Sequence, residues 1–166
     1  VPTNETFFKG VHRLDAGCSL LYKDNEIKIN KYFKLDFKEE DMSFEDAVKN
    51  ISDVMKDSVE KHLIADVEVG SFLSSGIDSS YIVSLAKPDK TYTVGYENKK
   101  YDETMYAKDL AEKLGIKNES KIITKEEYLE NISKIMYYLD EPTSDPAAIS
   151  LYFVAKLASK DLKVVL

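Results

Sequence analysis

The chain predicts an α/β fold, a doubly wound parallel sheet, on three observations. Val67, Val69, Phe72 and Leu73 form a β-favouring apolar run that passes through small residues into Tyr81, Ile82, Val83, Leu85 and Ala86, an apolar run of helical length. Thr91 to Tyr96 is a second strand-like run, and strand, helix and strand in that order require a parallel pair with a right-handed crossover. Short β-leaning stretches and amphipathic helices then alternate as far as Leu166. With 166 residues, 43% hydrophobic and 32% charged, the chain suffices for one such domain with a real core and has the composition of a globular protein.

Charge and composition exclude several classes. A net charge of −7 with no basic stripe argues against a nucleic-acid surface. No apolar run is long enough to span a bilayer and no signal-peptide pattern follows Val1, which predicts no membrane partner and a cytoplasmic location. The single Cys18 excludes an internal disulfide and suits a reducing compartment. The lack of an initiator Met, together with the strand-like run Lys163-Val164-Val165-Leu166 at the other end, predicts a piece of a longer protein.

Residues 1–37 differ in character from residues 38–166 and are expected to form a separate β-rich segment. Asp24-Asn25 between Leu20-Leu21-Tyr22 and Ile27-x-Ile29 predicts a hairpin, and Gly10 and Gly17 mark turns. His12 and Arg13 are open to two readings, ligand-facing or solvated, and a lone His favours the second. Cys18 has no partner His nearby and reads as a small buried apolar residue. After the charged link Lys38-Glu39-Glu40-Asp41, Ser43-Phe44-Glu45-Asp46 resembles a capping box. Phe44, Ala47, Val48, Ile51, Met55, Val59 and Leu63 follow at helical spacing, which predicts a helix from about 43 to 63 with its stripe in the core.

The stretch Leu73-Ser74-Ser75-Gly76-Ile77-Asp78-Ser79-Ser80 carries the candidate chemistry. A strand entering a helix through small residues presents backbone N–H groups at a positive helix end, where an anion such as phosphate is favoured. Ser74, Ser79 and Ser80 offer hydroxyls, Gly76 permits close approach of the backbone, and Asp78 is a candidate ligand for a divalent cation. The pattern is neither a Walker loop nor a dinucleotide fingerprint, and simple helix capping by Ser and Asp accounts for it about as well.

Lys87-Pro88-Asp89-Lys90 stops the loop helix. Leu73, Val94 and Gly95 fall at the carboxyl ends of the first two strands, where ligands sit in such sheets; they either flank an adenine or are plain core. Tyr101-Asp102-Glu103 opens a helix ended by Gly115, with the two carboxylates as capping charges. Residues 120–123 predict a third strand, and Thr124-Lys125-Glu126-Glu127 a second capping box ahead of a helix with Leu129, Ile132, Ile135, Met136 and Leu139 inward. Asp140-Glu141-Pro142-Thr143-Ser144-Asp145-Pro146 is a rigid acidic loop, with Pro146 at a first helical position and Asp145 as its cap. A further helix and a fourth parallel strand from Lys163 to Leu166 complete the prediction.

Ser74-Ser75-Gly76-Ile77-Asp78-Ser79 resembles the S-G-G-x-D-S loop of the ATP pyrophosphatases (PP-loop enzymes, of the adenine-nucleotide α-hydrolase type), with Ser75 where that pattern has its first Gly. Further motifs match in order: Thr6-x-Phe8-x-Gly10-Val11, Leu14-Asp15-Ala16-Gly17, Thr93-Val94-Gly95, Tyr101-Asp102-Glu103, Leu139-Asp140-Glu141-Pro142 and Asp145-Pro146-Ala147. Together they resemble the synthetase domain of glutamine-dependent asparagine synthetases over nearly the whole chain.

That resemblance implies a carbon–nitrogen ligase. Aspartate attacks the α-phosphorus of MgATP to give β-aspartyl-AMP and pyrophosphate, and ammonia derived from glutamine displaces AMP. Carried over by position, Ser74, Ser75, Gly76, Ile77, Asp78, Ser79 and Ser80 would bind the pyrophosphate, Asp78 would also hold Mg²⁺, and Leu73, Val94 and Gly95 would border the nucleotide. The loop from Asp140 to Asp145 would lie on the acceptor side. The resemblance further implies a glutaminase domain before Val1, a nucleotide- and metal-completing motif after Leu166 that holds the catalytic residues, and a homodimer of the longer protein. Residues 1–37 would then link the two domains, residues 38–166 would be an incomplete synthetase domain, and the chain by itself would be inactive. Related expectations are another carboxylate-adenylating amidotransferase, a β-lactam-synthetase-like enzyme, or a non-catalytic PP-loop module in which Ser75 marks lost phosphate binding.

Overall fold

The structure, a computed structural model, describes residues 4–143 and 145–166 and, for Tyr101, the backbone only. Val1 and Ser144, both used in the sequence argument, lie outside the described residues. The chain divides into two units, Val1–Met42 and Ser43–Leu166.

In the first unit β1 (Cys18–Lys23) and β2 (Glu26–Lys31) pair antiparallel, from Cys18↔Lys31 to Lys23↔Glu26, as the hairpin pattern predicts. The two loop residues, Asp24 and Asn25, have φ of 52° and 66°. Two successive left-handed residues twist the turn in the same sense as the strands, and Asp and Asn tolerate that conformation best among non-glycines. Asn25 Oδ1 also accepts the Tyr22 hydroxyl at 2.6 Å. Gly17 has φ of 71°, and a Cβ there would lie 2.5 Å from the Phe33 carbonyl oxygen. Its own carbonyl takes the Tyr32 and Phe33 amides at 2.9 and 3.1 Å. Cys18 is half-buried and has a free thiol.

The second unit is a parallel four-stranded sheet in the order β5-β4-β3-β6, with β3 (Val69–Phe72), β4 (Lys90–Tyr96), β5 (Lys117–Ile123) and β6 (Val164–Val165). β4 and β5 pair along seven residues, from Lys90↔Lys117 to Tyr96↔Ile123. β3 pairs with β4 at Ser71↔Thr91 and Phe72↔Tyr92, and with β6 at Val69↔Val164 and Gly70↔Val165. The chain winds outward from β3 to β5 and then returns to the far side of β3. The order therefore reverses between β3 and β6, the place where open α/β sheets bind ligands.

Strand alternation sends side chains to two helical layers. On one face Leu73 packs with Val83 of α2 (Ile77–Ala86) and with Ala107 and Ala111 of α3 (Thr104–Leu114). On the other, Tyr92 packs with Val154, Leu157 and Ala158 of α5 (Ala147–Ala158). Ile123 joins Ile135 of α4 (Lys125–Tyr138) and Ile149 and Phe153 of α5 on that same side. The buried hydroxyls on the α2/α3 face are paired: Asn118 Nδ2 donates to Thr91 Oγ1 at 3.1 Å and Thr93 Oγ1 at 3.0 Å, and Thr93 Oγ1 donates to the Leu73 carbonyl at 2.8 Å.

Helix starts follow the predicted caps. Thr124 Oγ1 accepts the Glu127 amide at 3.1 Å while Glu127 Oε2 accepts the Thr124 amide at 3.2 Å, a complete capping box. Asp145 Oδ1 accepts the Ala147 amide at 2.9 Å, just ahead of α5. Ser43 caps α1 (Phe44–His62) through the Asp46 amide at 3.0 Å. The expectation that the α1 stripe is core needs correction: Val59 is buried, but Phe44, Val48 and Ile51 are exposed. The physical reason is that α1 lies beside α2 rather than across the sheet, so one helix covers only part of the stripe.

Candidate functional site

Strand β3 ends at Phe72, but the ladder runs one residue further, because the Leu73 amide donates to the Tyr92 carbonyl at 2.9 Å. The chain then leaves the sheet at the strand-order reversal and turns into α2 over Ser74, Ser75 and Gly76. Side-chain oxygens satisfy the amides of this turn. Ser79 Oγ accepts the Ser74 amide at 3.2 Å, Ser74 Oγ accepts the Gly76 amide at 3.1 Å, and the two hydroxyls meet at 2.8 Å. Gly76 is closely approached: a Cβ there would lie 3.2 Å from Ser74 Oγ, so that hydroxyl would have to give by a few tenths of an ångström. No side chain caps α2, so its N-terminal amides and macrodipole face outward, an arrangement that favours an anion.

The third amide of the turn has a distant partner. Ser75 N–H donates to Glu103 Oε2 at 3.1 Å, across 28 residues of chain. Glu103 occupies the N-cap position of α3 but makes no capping hydrogen bond. That work falls to Asp102, whose Oδ1 accepts the Thr104 amide at 3.1 Å and the Thr104 hydroxyl at 2.7 Å.

A cleft of about 260 Å³ opens beside the turn, walled by Leu73, Ser74, Ser79 and Val94, with Tyr92 and Val154 at its apolar side. Apolar walls with a few convergent polar groups are what a nucleotide base and its phosphates require. Tyr96, Glu103 and Ser150 line this cleft and also an adjoining one of about 770 Å³, which carries Lys99 and Lys100 on its wall. The Tyr96 and Ser150 hydroxyls meet at 2.7 Å and tie the carboxyl end of β4 to the first turn of α5. The Tyr92 ring faces the cleft while its hydroxyl donates to Asp161 Oδ2 at 3.1 Å. Burial foremost, with that hydrogen bond second, raises the Tyr92 pKa above the usual phenol value.

Of the residues singled out in the sequence, Leu73, Ser74, Ser79 and Val94 meet at the first cleft and Ser75 reaches the second. Gly76, Ile77 and Asp78 are exposed on the turn and first helical residues, and Ser80 Oγ is turned back on the Gly76 carbonyl at 2.7 Å. Gly95 lines neither cleft; it is buried beneath Asp102 and Thr104. Asp140, Glu141 and Asp145 also line neither, although the adjacent Pro146 and Ala147 border the larger cleft. Sequence reasoning missed Tyr96, Glu103 and Ser150. Tyr96 stands at a strand's carboxyl end, which is a usable signal, and Glu103 lies within a matched motif; nothing in the sequence marks Ser150.

The asparagine synthase family profile matches residues 50–166. The chain is 44% identical over its whole length to asparagine synthetase [glutamine-hydrolyzing] 1 of Bacillus subtilis, and 38% identical to a putative asparagine synthetase [glutamine-hydrolyzing] of Mycobacterium tuberculosis, again over all of the chain. It spans 27% of the length of each of these relatives. Among solved structures, an NMN synthetase from Francisella tularensis is similar at a TM-score of 0.45 and 18% identity, over 75% of this chain and 54% of that one, too loose a likeness to bear on function. The profile match covers well over half of the chain, including the strand, turn and helix that build the cleft: the chain belongs to the asparagine synthase family.

Proposed function

We propose that this chain supplies the nucleotide-activating half-site of a glutamine-dependent asparagine synthetase, an ATP-dependent carbon–nitrogen ligase. The observation that carries the reading is the uncapped N-terminus of α2, placed by a serine-lined turn at the strand-order reversal beside the Leu73–Val94 cleft. In this reading the pyrophosphate of ATP takes the amides and hydroxyls of residues 74–80, and the base lies against Leu73 and Val94. The side-chain carboxylate of aspartate attacks the α-phosphorus, a P–O bond to pyrophosphate breaks, and β-aspartyl-AMP forms. Ammonia then adds at the acyl carbon and AMP leaves. Fixed donors on the departing pyrophosphate stabilise the charge that develops there.

The loop fits a magnesium-complexed nucleotide. Asp78 offers one exposed carboxylate beside the turn, and no cluster of three or more metal-binding side chains occurs among the described residues. One protein carboxylate with substrate phosphate oxygens and water is the usual set for Mg²⁺ in phosphate-transfer sites. Bound there, the ion would neutralise phosphate charge. A cytoplasmic setting is consistent with a free Cys18 and with the lack, among the described residues, of any helix long and apolar enough to cross a membrane. A homodimer rests on the sequence resemblance.

Pyrophosphate release from MgATP by the full-length protein tests this function, with ammonia supplied and amino acids scanned as acceptors. Release that depends on aspartate is the expected result. Release with a different carboxylate would keep the adenylation and move the substrate, and no release from folded protein would overturn the reading.

A further inference from the structure

Every amide of the phosphate turn already has a partner, and those partners differ in kind. Ser74 and Gly76 are served by neutral hydroxyls of the loop itself, Ser79 Oγ and Ser74 Oγ. Ser75 is served by an anion brought from another element, Glu103 Oε2 at 3.1 Å. Glu103 does not owe this position to helix capping, because Asp102 caps α3 and Glu103 makes no cap bond. Its carboxylate stands where the smaller cleft meets the larger one, on a backbone donor of a turn shaped for oxyanions.

We propose that Glu103 is an internal anion that holds the Ser75 amide while the site is empty and is displaced when the pyrophosphate group of the nucleotide takes that amide. This rests on the nucleotide reading given above and adds to it a competitor within the site. A carboxylate oxygen and a phosphate oxygen are both charged acceptors for one N–H, and they repel each other at hydrogen-bond range, so they exclude one another there. The consequence has two sides. Glu103 keeps the turn ordered with its donor satisfied, so the loop does not need to be organised at the moment of binding. It also lowers the apparent affinity for polyphosphate, because binding must first break the Glu103–Ser75 bond. Displacement frees the N-terminal end of α3, on the wall shared by both clefts, so occupation of the nucleotide cleft is felt in the larger one.

The test is calorimetric titration of the full-length protein with inorganic pyrophosphate and Mg²⁺, comparing wild type with Glu103→Ala and Glu103→Gln. Ala removes competitor and charge together, whereas Gln keeps a neutral acceptor of the same reach and so preserves the turn. Loss of one charge-assisted hydrogen bond from the empty state predicts about tenfold tighter binding in Glu103→Ala, with Glu103→Gln between it and wild type. Unchanged or weaker binding in both variants, with measurable binding in wild type, overturns the displacement and leaves the nucleotide reading standing. If neither wild type nor variants bind pyrophosphate, while circular dichroism shows them folded, displacement and nucleotide reading fall together.

Discussion

Gly95 lies directly beneath the carboxylate of Asp102: a Cβ at position 95 would overlap Asp102 Oδ1 and come within 2.8 Å of Thr104 Cγ2. The glycine is required for space, since that same Oδ1 is the acceptor that caps α3 through Thr104. Gly95→Ala must therefore either strain β4 or dislodge the cap. Overpacking and a lost cap each cost on the order of 1–2 kcal/mol, so about 1–2 kcal/mol of stability should disappear in urea unfolding whichever way the clash is relieved. The cost should shrink when Asp102→Ala is already present, because the clashing atom is gone. Strictly additive single and double variants would show that the two residues do not meet.

Ser79 and Ser80 are adjacent and chemically identical, yet their hydroxyls serve different ends. Both hydroxyls reach the Gly76 carbonyl, Ser79 Oγ at 3.2 Å and Ser80 Oγ at 2.7 Å, but Ser79 Oγ also accepts the Ser74 amide and touches Ser74 Oγ within the turn. Ser79→Ala should lower pyrophosphate release by roughly 10²-fold, the loss typical of one donor at a developing oxyanion. Ser80→Ala should cost less than about tenfold, since its hydroxyl bonds only the Gly76 carbonyl and holds no amide of the turn. Equal losses in steady-state kinetics would count against the turn geometry.

The two legible levels of this chain were period and punctuation. Thr124 and Glu127, Asp145 and Pro146, and Asp24 and Asn25 announced their caps and turn because each acts on backbone a few residues away. The strand–turn–helix at 69–86 was equally local, which is why the serine-rich turn between strand and helix could be placed from sequence. What escaped was long-range. Glu103 reaches Ser75 across 28 residues, and Tyr96 meets Ser150 across 54; no spacing rule records which side chains a sheet order will bring together. The α1 stripe failed for the complementary reason: amphipathic period shows that a face is apolar, not how much of it a neighbour covers.

At the opposite end of β4 from the cleft, Lys90 bonds Asp161, which also accepts the Tyr92 hydroxyl, and Glu119 lies 3.5 Å from the same ammonium. The Lys90 hydrogen bond first, and the Tyr92 bond second, hold the Asp161 carboxyl below its ordinary value. A depressed folded-state pKa means stability that is present above the unfolded value, about 3.9, and lost as pH falls through the lower folded one. Lys90 is raised, chiefly by its bond to Asp161; its contribution is present below the ordinary lysine value and lost as pH rises beyond it. Urea midpoints should thus hold level through neutral pH and fall at both extremes. Asp161→Asn should flatten the decline below about pH 4. Parallel acid limbs for the two proteins would remove Asp161 from the account.

Ser75 is the residue whose substitution should matter least among those of the turn, although it is the one that departs from the S-G-G-x-D-S pattern. Glycine would be indispensable there if the backbone were left-handed, but Ser75 is not among the residues with positive φ. Its side chain is exposed, and the group it commits to the turn is its amide, held by Glu103. An amide is common to Ser and Gly, so Ser75→Gly leaves that donor in place and removes only a Cβ and hydroxyl on the solvent side. The expected outcome is pyrophosphate release within about threefold of wild type, with a small stability loss of up to about 1 kcal/mol from the added freedom of the unfolded chain. A rise of tenfold or more in release would show that the Ser75 side chain crowds the phosphate, and would mark the serine as a lesion in the loop. A comparable fall would make its hydroxyl a phosphate donor in its own right. Steady-state kinetics of the single variant beside Glu103→Ala separates these outcomes, because the first change alters the side chain over the amide and the second alters only what the amide holds.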